Sequence, residues 1–197
     1  YNNYNIIVDG NIYSVIKDAL LLKIKAHLSV NHFFSIALSG GNTPKKLYNL
    51  LSHELLPWSR IKIFPVDERV VPPDSNGFNW KMIEETFLRK LQEKPRIFPP
   101  VDIHVDPEKS SLDLEETLKR ELPLTEEGIP VIDLMILGTG TDGHCASIFP
   151  GNSALKEKKR LVMVTEGPPP FEKRITCTFP LISSARERWF LVTGYDK

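Results

Sequence analysis

The sequence predicts an α/β fold, namely one three-layer domain in which a mostly parallel sheet is flanked by helices. Short apolar segments alternate along the chain with segments of helical periodicity, as in folds built from strand–helix–strand units. The segment 131–137 is apolar enough for a strand that is covered on both faces, which is typical of parallel sheets. Three of the predicted strands end in polar loops, and parallel sheets bind ligands at that edge.

The individual elements follow from hydrophobic runs and from the glycines and prolines between them. Pro44 suits the first position of a helix, and a proline-rich loop at 71–77 separates a strand from the next helix. The stretch 95–107 is punctuated by prolines, and its pattern is harder to interpret than the rest. The predicted strands are 5–8, 33–38, 61–66, 131–137, 160–165, 174–178 and 189–193. The predicted helices are 11–27, 44–51, 80–90 and 107–122.

The composition is that of an ordinary globular protein. Hydrophobic residues make up 41% of the 197 residues, and 25 basic residues balance 25 acidic ones, so no net charge attracts nucleic acid or an anionic membrane. No apolar run is long enough to span a membrane, and two cysteines indicate neither a disulfide framework nor a zinc site. We therefore expect a cytoplasmic protein that has no nucleic-acid or membrane partner.

The domain organisation is expected to be simple. No repeat and no long linker divides the sequence, which predicts a single domain over 1–197. The chain starts with tyrosine rather than methionine, so we expect it to be a segment of a longer polypeptide.

A glycine-containing loop follows the predicted strand at 33–38. It exposes backbone amides at the start of a helix, where unpaired N–H groups and the helix dipole both favour an anion such as phosphate. A tight turn that is capped by Asn42 or Thr43 explains the same pattern without a ligand. The loop consists of Ser39, Gly40, Gly41, Asn42, Thr43 and Pro44.

Charged residues and a histidine follow two other predicted strands. Asp67, Glu68 and Arg69 lie at one strand end, where a solvated surface is the alternative explanation. Asp142 and His144 lie in a glycine-rich turn, in which Asp142 is expected to cap a short helix that carries His144 in its first turn. The helix dipole would keep the imidazole neutral, as a general base requires. We expect these loops and the glycine-containing loop to converge in one active site.

The turn also matches a dinucleotide-binding fingerprint. Gly138, Gly140 and Gly143 have the G-x-G-x-x-G spacing, and Glu166 follows a later strand. A Rossmann site needs a full crossover helix after the last glycine, whereas Pro150 ends this segment after about two turns. We therefore expect no nicotinamide or flavin cofactor.

Taken together, four motifs resemble the 6-phosphogluconolactonase family. They cover essentially the whole chain in the order of that family: Leu38–Pro44, Val66–Pro72 with Ser75-Asn76, Asp133–Gly151, and Pro169–Thr176 with Gly194-x-x-Lys197. The resemblance implies a Rossmann-like α/β fold of the NagB/RpiA type. It also implies hydrolysis of 6-phosphogluconolactone to 6-phosphogluconate, in the oxidative pentose phosphate pathway, with neither a metal nor an organic cofactor.

The resemblance further implies roles for particular residues. His144 would be the general base that activates water, with Asp142 orienting it. Gly40, Gly41 and neighbouring amides are candidates for holding the oxyanion, and basic side chains would bind the phosphate or the sugar. The implied catalytic residues are His144, Asp142 and Asp67. The implied substrate-binding residues are Ser39, Gly40, Gly41, Asn42, Thr43, Arg69, Gly140, Arg174 and Lys197.

Two other functions stay open. Glucosamine-6-phosphate deaminase/isomerase belongs to the same superfamily, but it has an Asn-Glu pair where this chain has Ile148-Phe149, and a tyrosine where it has Arg69. A sugar-phosphate-binding regulatory module is the third hypothesis, against which the presence of Asp67 and His144 argues. The domain is joined to glucose-6-phosphate dehydrogenase in some lineages, so we also consider fusion to or association with that enzyme.

Overall fold

The fold combines a parallel sheet with a smaller antiparallel sheet, and the computed structural model describes residues 4–194. The strands are β1 (Phe34–Leu38), β2 (Ile61–Pro65), β3 (Asp67–Arg69), β4 (Arg96–Ile97), β5 (Leu134–Leu137), β6 (Val162–Glu166), β7 (Lys173–Cys177) and β8 (Glu187–Phe190). The helices are α1 (Ile12–Leu28), α2 (Asn42–Leu51), α3 (Asn79–Thr86), α4 (Pro107–Glu121) and α5 (Phe179–Ser184).

Five strands form the central sheet in the order β4-β2-β1-β5-β8, and each neighbouring pair is parallel. Every residue of β1, β2 and β5 is buried, because both faces of the sheet are covered. Leu38 pairs with both Pro65 and Ile136, so these three strands end at the same level. The predicted α/β class with a mostly parallel sheet is confirmed.

The smaller sheet has the order β3-β7-β6 and is antiparallel throughout. β6 and β7 were expected from the sequence, but the antiparallel pairing of β7 with both β3 and β6 was not. Thr178 donates its backbone N–H to Leu161, and Cys177 donates to Val66 directly after β2. The antiparallel sheet is thereby attached to the end of the parallel one.

The helices begin and end largely where the patterns predict. Asp106 accepts a hydrogen bond from the Lys109 amide at 3.0 Å, and Pro107 follows it as the first helical residue of α4. Helix α2 begins at Asn42, so Pro44 is its third residue rather than its first. The helix predicted at 80–90 ends at Thr86 and continues as a 3₁₀ turn at Leu88–Lys90.

The strand predicted at 5–8 is wrong. These residues are not part of either sheet, and Ile6 and Val8 are 77% and 92% exposed. An extended segment becomes a β-strand only by hydrogen bonding to a neighbour, and no described strand pairs with this one. The hydrophobic run therefore predicted a strand that does not form, because no neighbouring strand pairs with it.

Candidate active site

Three loops meet at the carboxyl edge of the parallel sheet, as the strand order predicts. Ser39 Oγ donates to the Ile136 carbonyl at 2.8 Å and joins the loop after β1 to β5. The Val66 amide donates to the Leu38 carbonyl at 3.0 Å and joins β1 to the segment after β2. Because these hydrogen bonds join the three strand ends directly, the loops that follow the strands lie next to one another.

The first loop leaves the amino end of α2 open. Gly41 occupies the N-cap position at a φ of 102°, and no side chain caps the helix. The alternative of a turn capped by Asn42 or Thr43 is therefore wrong. Thr43 Oγ1 instead lies 3.1 Å from Thr193 Oγ1. The first-turn amides are free of a side-chain acceptor and suit an anion, whereas the Ser39 hydroxyl is already used within the fold.

Asn79 joins the first loop to the second and was not recognised from the sequence. Its side chain packs on Gly40 so closely that a β-carbon on that glycine would lie 2.7 Å from Asn79 Nδ2 and closer still to Cγ. The same Nδ2 donates to the Asp67 carbonyl at 3.3 Å. Gly40 is therefore required by close packing, in addition to any role of its amide.

Strand β3 divides its three charged residues between two faces. Its alternation places Asp67 and Arg69 on one side and Glu68 on the other. Glu68 is 1% exposed, and its carboxylate accepts from the Asn79 and Trp80 amides at 2.7 Å each. It therefore caps α3, although burial raises the pKa of Glu68 to about 8. A Glu placed eleven residues before a helix gives no local capping signal, so the sequence did not show this role.

The turn that carries His144 is not helical, so the expected helix and its dipole are wrong. Residues 141–150 form turns, in which Gly143 and Ala146 have φ values of 82° and 53°. Backbone in the left-handed region cannot continue an α-helix. Asp142 Oδ1 accepts from the His144 amide at 3.1 Å, so Asp142 closes a turn instead of capping a helix.

Asp142 and His144 form a short side-chain pair. The His144 Nδ1 and Asp142 Oδ1 atoms are 2.6 Å apart. Desolvation opposes ionisation of Asp142, but the hydrogen bonds from the His144 ring and amide outweigh it and lower the Asp142 pKa. An ionised carboxylate only accepts hydrogen bonds, so Nδ1 carries a proton, and in the neutral imidazole the lone pair is then on Nε2. That tautomer is the one a general base acting through Nε2 requires.

Gly140 makes this pair possible. A β-carbon at this position would lie 2.6 Å from Asp142 Oδ1 and closer still to the His144 ring. The Gly140 amide also donates to the His144 carbonyl at 2.9 Å. The glycine that matched a dinucleotide fingerprint therefore holds the Asp–His pair against the backbone.

Asp67 lies near two arginines and is held by Ser147. Ser147 Oγ donates to Asp67 Oδ2 at 2.6 Å, and the Ser147 amide donates to Thr176 Oγ1 at 3.0 Å. Burial raises the pKa of Asp67, while the Ser147 bond and the charges of Arg174 and Arg69 oppose that rise. Ser147 belongs to a sequence motif, but only the folded chain shows which carboxylate it meets.

The two arginines stand opposite each other across the β3–β7 pair. Arg69 donates to the Gly77 carbonyl at 2.9 Å and lies 4.9 Å from the centre of the Phe171 ring. Arg174 Nε donates to the Phe171 carbonyl at 3.1 Å, and burial lowers the pKa of Arg174. The site therefore places two guanidinium groups beside the Asp67 carboxylate.

Three further expectations concern Lys197, a metal site and a membrane-spanning helix. Lys197 lies outside the described residues. Within residues 4–194, no group of three or more His, Cys, Asp or Glu side chains is arranged to hold a metal ion. No helix in that part of the chain is both long and apolar enough to cross a membrane.

The fold and the site define a Rossmann-like α/β protein whose polar site lies at the carboxyl ends of parallel strands. The family model described as glucosamine-6-phosphate isomerases/6-phosphogluconolactonase matches residues 11–197. A 6-phosphogluconolactonase of Synechocystis is 40% identical over 83% of this chain and 68% of that protein. One of Treponema pallidum is 33% identical over 87% of this chain and 72% of that protein. The chain belongs to this family, which confirms the resemblance.

Solved structures agree with this assignment. A 6-phosphogluconolactonase from Trypanosoma cruzi superposes with a TM-score of 0.88 at 36% identity, over 99% of this chain and 82% of that one. The enzyme of that name from Thermotoga maritima gives a TM-score of 0.86 at 28% identity, over 97% of this chain and 84% of that one.

Proposed function

We propose that this chain hydrolyses 6-phosphogluconolactone to 6-phosphogluconate, with His144 as the general base and without a metal ion. The observation that carries the proposal is the 2.6 Å pair of His144 Nδ1 and Asp142 Oδ1. Relatives and structural neighbours that bear the name 6-phosphogluconolactonase support this activity. The mechanism below is argued from the geometry of the site.

The first step is attack of water on the lactone carbonyl. Nε2 of His144 accepts a proton as the water oxygen bonds to the carbonyl carbon, and the carbonyl oxygen becomes an oxyanion. Asp142 holds the imidazole through Nδ1 and stabilises the imidazolium that forms. Backbone amides at Gly40, Gly41 and the start of α2 are the candidate donors to the oxyanion.

The second step opens the ring. The oxyanion re-forms the carbonyl, the bond to the ring oxygen breaks, and the imidazolium returns its proton to that oxygen. The products are a carboxylic acid, which ionises, and the hydroxyl that the ring oxygen becomes. Asp67 lies near enough to both arginines for their charges to affect its pKa, and its negative charge favours their presence beside the substrate.

Arg69 and Arg174 are the described side chains best suited to bind the phosphate. Each guanidinium lies over a phenylalanine ring, which fixes its plane and limits its hydration. Two cations near one half-buried carboxylate leave a net positive charge that suits a dianionic group. The open amino end of α2 is a second candidate anion site.

The isomerase alternative has less support from the site. Phe149 packs against His144, with 4.3 Å between the ring centres. The carboxylate that the isomerase has at this position is therefore replaced by an apolar ring. Deamination of glucosamine 6-phosphate by the wild-type protein would support the isomerase alternative.

The test is a comparison of His144→Ala with His53→Ala, which removes an exposed histidine at the far end of α2. Lactone is generated enzymatically, and acid release is followed in excess of the spontaneous rate. We expect a loss of about 10²- to 10⁴-fold in kcat for His144→Ala and wild-type activity for His53→Ala. An unchanged rate in His144→Ala refutes the general base, and a wild-type protein that gives no acceleration refutes the function.

The absence of a metal is tested separately. Extensive treatment with EDTA followed by gel filtration should leave kcat unchanged. Loss of activity that returns with a divalent cation would contradict this part of the proposal.

A cytoplasmic location and fusion to or association with glucose-6-phosphate dehydrogenase stay predictions. The mass of the native polypeptide tests the fusion, and co-purification with dehydrogenase activity tests the association. Fractionation of the source cells tests the location.

A further inference from the structure

One aromatic ring contacts two groups of the proposed mechanism. Phe149 lies with its ring centre 4.3 Å from that of His144, at an interplanar angle of 41°. The guanidinium carbon of Arg174 lies 5.3 Å from the same ring centre. Phe149 is 7% exposed, so the ring excludes water between the imidazole and the guanidinium.

The turn after His144 folds back to bring Phe149 into this position. Cys145 and Ile148 form an antiparallel bridge, and the Ile148 amide donates to the Cys145 carbonyl at 2.9 Å. Ala146, between them, has a φ of 53°. This reversal places a residue five positions after His144 against the imidazole of His144.

Gly167 supports the ring and the arginine from the loop between β6 and β7. A β-carbon on Gly167 would lie 2.9 Å from Phe149 Cε2 and 2.6 Å from Arg174 Nε. Both side chains therefore pack directly on the backbone of that loop. Arg174 Nε also donates to the Phe171 carbonyl, which fixes the guanidinium relative to the ring.

We propose that Phe149 is a positioning residue that sets the place of His144 and of Arg174 together. The proposal rests on the proposed function, because it assigns the two groups to proton transfer and phosphate binding. A flat ring holds the imidazole by contact and the guanidinium by a cation–π interaction. A leucine of similar size fills the space but offers no π face. The effects of Phe149→Leu therefore distinguish positioning by the aromatic ring from simple filling of the space.

The experiment compares Phe149→Leu with Phe98→Leu. Phe98 stacks on Phe64, with 4.6 Å between ring centres, beside the β2–β4 pair. For Phe149→Leu we expect kcat/KM to fall on the order of 10²-fold, with kcat lowered and KM raised. Affinity for 6-phosphogluconate, measured by calorimetry, should fall about tenfold. Phe98→Leu should lower the melting temperature and leave the other quantities unchanged.

A spectroscopic measurement tests the positioning without turnover. The ¹⁵N shifts of the two His144 ring nitrogens should move in Phe149→Leu toward those of a mixture of tautomers. A packing role alone would leave the tautomer unchanged. Should Phe149→Leu fail to fold, Phe149→Met repeats the comparison with a more adaptable side chain.

The outcomes are distinguishable. Wild-type kcat/KM, product affinity and imidazole ¹⁵N shifts in a folded Phe149→Leu would overturn the proposal, and so would equal effects of Phe98→Leu. If the wild-type protein does not hydrolyse the lactone, the proposed function fails, while the imidazole spectrum still decides whether Phe149 positions His144.

Discussion

Gly140→Ala is expected to abolish most of the activity while leaving the fold intact. The added β-carbon would lie 2.6 Å from Asp142 Oδ1 and closer still to the His144 ring, whereas ordinary contacts begin at 3.4 Å. The imidazole must therefore move by about 1 Å, and a displacement of that size costs on the order of 10²-fold in rate. The atoms that must move are side-chain ends, so the free energy of unfolding should change by no more than about 1 kcal/mol.

Gly138→Ala is the matched control. A β-carbon on Gly138 meets nothing within 4 Å, and Gly138 does not have a positive φ. The assay is kcat/KM for the lactone, corrected for spontaneous hydrolysis, together with a thermal melt of each variant. The reasoning is refuted if Gly140→Ala retains wild-type kcat/KM, or if Gly138→Ala loses as much.

Three further substitutions test the rest of the site. Ser147→Ala removes a bond that lowers the Asp67 pKa, so this pKa, followed by the ¹³C shift of the Asp67 carboxyl carbon, should rise; an unchanged pKa contradicts this. Arg174→Lys keeps the charge but loses the planar contact with Phe149, so KM should rise about tenfold with a smaller change in kcat; an unchanged KM removes Arg174 from substrate binding. Because folding raises the Glu68 pKa from 4.5 to about 8, its contribution to the free energy of unfolding is full below pH 4.5 and is lost as the pH rises through 8. Urea titrations should show that loss in wild type and a flatter pH dependence in Glu68→Gln.

The central sheet was predictable because its strands obey a local rule. A strand that is buried on both faces is apolar at most positions: β5 is apolar throughout, and β1 is apolar except at Ser35. The run at 5–8 is also apolar except at Asn5 but forms no strand, since strand formation depends on a partner that the pattern does not include. The hydrophobic pattern thus predicted the strands inside the sheet correctly and the strand at 5–8 wrongly.

The site was predictable in its composition but not in its geometry. Asp142, His144 and the glycines around them indicated an active site, yet the expected helix does not form because Gly143 and Ala146 take left-handed backbone. Alanine favours helix in most contexts, so nothing local indicates that Ala146 adopts this conformation.

The convergence of the loops could be predicted from the sequence, but the individual contacts between them could not. Ser147 meets Asp67 across 80 positions, and the Glu68 carboxylate caps a helix that begins eleven residues later. Asn79 reaches Gly40 in another loop. Such pairs arise only when the strand order brings the loops together, and a single sequence contains no direct record of that order.

Because the small antiparallel sheet is attached to the parallel one, the residues of the site come from two structural units. The Asp–His pair comes from a turn after β5, whereas Arg69 and Arg174 come from β3 and β7. Bonds from Ser147 to Asp67 and from its amide to Thr176 join the two units. The rings of Phe149 and His144 are in contact, and the same Phe149 ring lies under the Arg174 guanidinium. A change in the antiparallel sheet that moves Arg174 is therefore expected to reach the His144 turn through Phe149 and Ser147.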